Sequence, residues 1–136
     1  MTIEDLAETF DLLGDWEERY AYLIELGRKL PPLTDAERSE GNKVRGCMSQ
    51  VWMVGGLEAD GTMHFNGDSD STLVKGLIAL LMVMVNDQPP QKILATDIAG
   101  TFKQLGLESH ITVNRRNGFF SMVERIRALS SQAAIG

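Results

Sequence analysis

Cysteine is almost absent from this 136-residue chain, with Cys47 the single example. One thiol closes no intramolecular disulfide and alone supplies no multi-thiolate metal site, which excludes a disulfide scaffold and fits a reducing compartment. Histidine is nearly as scarce: His64 and His110 complete a set of three Cys/His residues, too few and too scattered for a zinc site. Positive charge is also short, 13 Lys and Arg against 19 Asp and Glu for a net charge of −6. Neutralising phosphates needs the opposite surplus, so a nucleic-acid partner is excluded. The longest apolar run, Gly76 to Val85, is too short to span a bilayer and reads as a buried core helix. Met1-Thr2-Ile3-Glu4-Asp5 carries neither the basic nor the apolar region of an export signal, so no membrane and a cytoplasmic location are expected. There is no repeat, low-complexity tract or composition break, and residues 1–136 are expected to form one domain. A chain of this length buries roughly 70% of its unfolded surface.

The pattern predicts helices, a small antiparallel meander, then helices again. Thr2-x-x-Asp5 resembles a capping arrangement, followed by Ile3, Leu6, Phe10 and Leu13 at helical spacing. Gly14-Asp15 stops that helix and caps a second, whose apolar stripe runs from Trp16 through Tyr20, Leu23 and Ile24 to Leu30, with Glu17, Glu18, Arg19 and Arg28 facing water. Pro31-Pro32 ends it. After a polar connection, Ser49 to Leu57 reads as a strand and Met63–Phe65 as part of a second, turned at Asp60-Gly61. Lys43-Val44 is a candidate third strand. Asp68-Ser69-Asp70-Ser71 offers caps for an apolar helix from Leu73 to Val85, followed by short helices near Lys92–Ala95 and Ile98–Leu105. A last helix carries Phe119, Met122, Val123, Ile126 and Leu129. The expected class is α+β: a three-stranded antiparallel sheet packed against and flanked by helices.

Cys47 is the first candidate for chemistry. A free cysteine is commonly a small buried apolar residue. Here Gly46 precedes it, Ser49-Gln50 follow it, and Lys43 and Arg45 lie just upstream, a flank expected to stabilise the thiolate. Both readings stay open on these features. His64 or His110 could serve Cys47 as a general base, although each also reads as a surface or capping histidine. Asn66-Gly67-Asp68-Ser69-Asp70 has a faint calcium-loop look that helix capping explains better. Arg115-Arg116, ahead of the last helix, is either a solvated pair or a clamp for an anion. Met48 and Met53 are candidates to line an apolar pocket beside Cys47, and Trp52 to form core or pocket wall.

Taken in order, Trp16-Glu17-Glu18-Arg19-Tyr20, Ile24-Glu25-Leu26-Gly27, Gly46-Cys47-Met48-Ser49-Gln50-Val51-Trp52, Gly67-Asp68-Ser69-Asp70 leading into Val74-Lys75-Gly76-Leu77-Ile78-Ala79, and Arg115-x-x-Gly118 resemble the SufE family of sulfur-acceptor proteins, including its CsdE-like paralogues. The resemblance runs from about residue 10 to 130. Two departures show: Met48 stands where the family usually has glutamine, and Val113-Asn114 where it commonly has Pro-Ser. The resemblance implies a fold similar to iron–sulfur scaffold proteins and a partner, a SufS- or CsdA-like cysteine desulfurase. It implies that Cys47 takes the partner's persulfide sulfur, stimulating the desulfurase, and passes the sulfur to an iron–sulfur scaffold complex or another acceptor. Pyridoxal phosphate belongs to the partner, and no cofactor is expected here. Arg45, Met48, Gln50, Trp52, Asp70 and Arg115 are the implied pocket or partner-facing residues; monomer and homodimer both stay open. The competing readings are a cysteine hydrolase or acyltransferase using a histidine, and a non-catalytic adaptor.

Overall fold

The computed structural model describes residues 1–135. Among them, six α-helices and one hairpin follow in the order α1 (Ile3–Leu13), α2 (Trp16–Arg28), β1 (Val51–Leu57), β2 (Met63–Ser69), α3 (Thr72–Val85), α4 (Pro90–Ala95), α5 (Ile98–Gln104) and α6 (Val113–Ile135). This is the α+β arrangement expected. None of the described helices is long and apolar enough to cross a membrane.

The caps act where the sequence puts them. Thr2 and Asp5 form a reciprocal capping box on α1, Asp15 accepts from the Glu18 N–H at the start of α2, and Ser71 accepts from Val74 N–H at the start of α3. Each satisfies a backbone donor that has no partner inside its helix. Arg19 departs from the expected water-facing position. Its Nε donates to the Phe10 carbonyl at 2.9 Å and its guanidinium lies 4.9 Å from the Trp16 ring centroid, so it joins α1 to α2.

The sheet has two strands, not three. β1 and β2 pair antiparallel from Val51↔Ser69 to Leu57↔Met63 around the Asp60-Gly61 turn. Lys43 makes only an isolated bridge with Trp52, and Val44 donates one bond to the Val51 carbonyl at 2.8 Å. Gly46, at φ +86°, then diverts the chain before a ladder can extend. β2 also runs further than expected, through Gly67, Asp68 and Ser69, the last two of which the sequence assigns to helix caps. Asp68 instead ties the long connection to the sheet and α3. It accepts from Arg38 Nε at 2.9 Å and lies 3.6 Å from Lys75 Nζ.

Helix α3 occupies the centre. Leu77, Ile78, Leu80, Leu81 and Val85 are fully buried, between α2 on one side and β2 on the other. Contact with α2 is backbone-close at two glycines. A Cβ added to Gly27 would lie 2.7 Å from the Gly76 nitrogen, and one added to Gly76 would lie 2.6 Å from the Leu23 carbonyl oxygen. No side chain fits there without parting the helices.

Gly76→Val should therefore destabilise the fold by about 3 kcal/mol in urea denaturation, whereas Gly41→Ala should change it by less than about 0.5 kcal/mol, since a Cβ at Gly41 meets only Ser39 Oγ at 3.8 Å. Asp68 gives a pH signature. Burial works to raise its pKa but is outweighed by the bonds from Arg38 and the Ser69 N–H and by the nearby Lys75 charge, so the net direction is down. A depressed folded pKa contributes stability that is present above the unfolded value of about 3.9 and lost as pH falls through the folded value. Asp68→Asn should remove that acid-side slope and cost about 1 kcal/mol at neutral pH, read from unfolding curves at several pH values.

Candidate functional site around Cys47

The segment from Lys43 to Gln50 crosses from the long connection into β1, and its path is held at both ends. At the base, Asp70 Oδ1 accepts from the Gln50 N–H at 3.1 Å, and the Asp70 N–H donates to the Gln50 carbonyl at 3.3 Å. At the other end lies the Val44–Val51 bond already described. Between them the chain turns at Gly46 and lays Cys47 on α6, where the Cys47 thiol donates to the Gly118 carbonyl at 3.6 Å. Cys47 is half-buried.

A cavity of about 270 Å³ opens beside the thiol. Its buried walls are Val51 from β1, Val74 and Leu77 from α3, and Phe119 and Met122 from α6. Ser49, Thr112, Asn114, Arg115 and Met48 complete the rim. Met48 is 82% exposed, a large apolar side chain held in water at the mouth. A water molecule's share of liquid volume is about 30 Å³, so one or a few added atoms on Cys47 fit easily, while the space lies just below the usual range for a cofactor pocket.

Electrostatics around the thiol differ from the sequence expectation. Burial pushes the Cys47 thiol up from its ordinary value instead of cations pulling it down. Of the basic flank, Arg45 is turned to a different partner: it pairs with Glu40 at 3.1 Å, with 73% of its side chain exposed. Arg115 is exposed at the start of α6, where Thr112 Oγ1 accepts from its backbone N–H at 3.3 Å, and it forms no ion pair among the described residues. A guanidinium beside a helix N-terminus suits an approaching anion.

Of the residues predicted for the site, Cys47, Met48 and Arg115 meet at the cavity. Gln50 and Asp70 act at the loop base instead. Trp52 does not form a cavity wall; it alternates out of phase with Val51 and Met53 and pairs with Asp68. Met53 is wholly buried in the core, away from the cavity. Neither histidine lines the cavity. His110 stacks on Trp16 with centroids 3.9 Å apart and its Nδ1 lies 2.8 Å from the Gly106 carbonyl, while His64 is an exposed strand residue. Among the described residues no group of three or more acidic, His or Cys side chains could hold a metal ion. Gly118, Thr112 and Ser121 are not among the residues the sequence singles out for the site. Phe119 and Met122 are legible there as an apolar helix face but not as cavity walls.

The model of the SufE family, an Fe-S metabolism associated domain, matches residues 4–130. The chain belongs to the SufE family. Membership gives this SufE chain a role in iron–sulfur metabolism. The fold is also similar to the solution structure of a hypothetical protein from Thermus thermophilus, with a TM-score of 0.81 and 23% identity over 100% of both chains. At that identity the likeness speaks for the fold alone.

The raised thiol pKa has a direct readout in this SufE protein. Less thiolate is present at a given pH than for a free cysteine, so iodoacetamide alkylation of Cys47 should reach half its maximal rate above about pH 8.5, the ordinary thiol value. A midpoint at or below that value would show that the cationic flank, not burial, sets the acidity.

Proposed function

We propose that Cys47 is the sulfur acceptor of a persulfide relay: it receives the outer sulfur from a pyridoxal-phosphate-dependent cysteine desulfurase, stimulates that enzyme by clearing its persulfide, and hands the sulfur on for iron–sulfur cluster assembly. One observation carries the reading. The chain's single thiol lies at the mouth of an apolar cavity with room for an added sulfur, inside the span matched by the SufE family.

The step balances without an external oxidant. The Cys47 thiolate attacks the outer sulfur of the partner's persulfide, a new S–S bond forms on Cys47, the partner's S–S bond breaks, and the partner's thiolate leaves with the electron pair. The proton released from Cys47 is matched by the one the departing thiolate takes up. Val74, Leu77, Phe119 and Met122 offer a water-poor wall against which the labile sulfur is shielded from reductants. Met48 suits the same role at the mouth, and Arg115 supplies a cation for an anionic sulfur.

The hydrolase reading lacks its general base, because neither His64 nor His110 reaches the thiol's cavity. An adaptor role would leave the thiol idle and the cavity beside it without purpose.

Incubation with a cysteine desulfurase and free cysteine should add one sulfur atom to the protein, seen by intact-mass measurement under non-reducing conditions. The gain should vanish in Cys47→Ser and on treatment with dithiothreitol. A mass gain that persists in Cys47→Ser, or full desulfurase stimulation by Cys47→Ala, would refute the proposal.

A further inference from the structure

We propose that Gly46 and Gly118 are a matched pair of positioning residues: the side chains they lack leave a seat on α6 for Cys47, and the fit of that seat sets how far the sulfur is withheld from solvent. The inference deepens the sulfur-acceptor reading and rests on it for its role in the relay.

Gly118 and Ser121 stand three residues apart, so they share one face of α6. A Cβ built on Gly118 would lie 3.4 Å from Cys47 Sγ, 3.8 Å from its Cβ and 3.9 Å from its Cα. The whole cysteine thus rests over one bare Cα. A methyl group there would just touch it; a branched side chain would occupy the space the cysteine holds. The loop side is stricter. A Cβ on Gly46 would come within 2.7 Å of Ser121 Oγ, and φ +86° is a backbone conformation that L side chains rarely adopt. Gly46 resists any side chain and Gly118 a branched one, and both contacts bring adjacent loop residues onto the same stretch of helix.

Two properties of the thiol follow from this seating. Its bond to the Gly118 carbonyl exists because the loop comes this close. Its burial, which makes the thiol a weaker acid, comes from the same approach. Lifting the loop off Gly118 removes both at once, so the seat separates a guarded state of the sulfur from a reactive one.

The test measures iodoacetamide alkylation of Cys47 across a pH range on the whole protein, for wild type, Gly118→Val, Gly46→Ala and Glu124→Val, the last at an exposed position of the same helix. Gly118→Val and Gly46→Ala should each react about fivefold or more faster near neutral pH, with the profile moved toward the ordinary thiol value, while Glu124→Val should match wild type. Adding Ser121→Ala to Gly46→Ala removes the clashing hydroxyl and should restore part of the slow reaction, a rescue that general destabilisation does not produce. Should Gly118→Val fail to fold, Gly46→Ala and its rescue decide alone, because Gly46 lies outside every helix and strand. Wild-type rates and profiles in the glycine variants would overturn the inference. Persulfide loading by a cysteine desulfurase, followed in parallel by intact mass, keeps the two proposals apart. A wild type that loads while the glycine variants alkylate like wild type removes the seat only; a wild type that never loads, beside variants that alkylate faster, removes the relay only.

Discussion

Helix α3 is apolar almost all round, and such a helix is stable only if neighbours cover every side. The close approach of α2 at Gly27 and Gly76 supplies one cover, with backbone meeting backbone where side chains would hold the helices apart. The hairpin supplies another through β2, where Gly67 is placed so that an added Cβ would press on Ile78 at 3.0 Å. What α2 and the sheet leave uncovered falls to α6 and the cysteine loop. Val74 and Leu77 are the part of α3 that this last cover does not close tightly, and they form the floor of the cavity. The site is therefore a consequence of how the core is sealed.

Burial alone shifts the ionisation of the sulfur. A cation in water several ångströms away changes a thiol's ionisation modestly, since a unit charge at 4 Å is worth about 1 kcal/mol at the dielectric of water. Burial against α6 removes hydration from the thiolate directly, and here it dominates. Arg45 cannot oppose it, because Glu40 holds it in solvent. A raised thiol pKa fits the proposed role of holding a labile sulfur between partners. It places the control of reactivity in the geometry of a loop and not in fixed charge.

Much of this architecture is legible in the sequence, and the reasons are local. Thr2, Asp15 and Ser71 cap helices because their side chains reach donors three residues on, and Asp60-Gly61 turns a hairpin because glycine accepts positive φ. Departures arise where distant residues decide. Gly67-Asp68-Ser69 has poor strand propensity but pairs with Val51-Trp52-Met53, and Asp68 gains Arg38 from thirty positions away. Lys43-Val44 carries strand-forming character, yet Gly46 turns the chain after one bridge. Cys47 stands out as the reactive candidate from its neighbours and from the family resemblance, but its acidity runs opposite to what its basic flank suggests, since Gly118 lies 71 residues further on. Trp52 has the size of a wall residue, and strand alternation puts it on the other face.

Each edge of the hairpin is covered in part by a short, irregular substitute for a strand. On one side Lys43 and Val44 take up bonds of β1; on the other, Asn86 uses its amide as a surrogate peptide, accepting from the Phe65 N–H at 2.7 Å and donating to its carbonyl at 3.1 Å, while Gln88 and Asp87 pair with Met63. Exposed edge backbone is the usual template for strand addition and for fibrillar self-association. Where those donors and acceptors are spent internally, no main chain is left for a visiting strand to pair with.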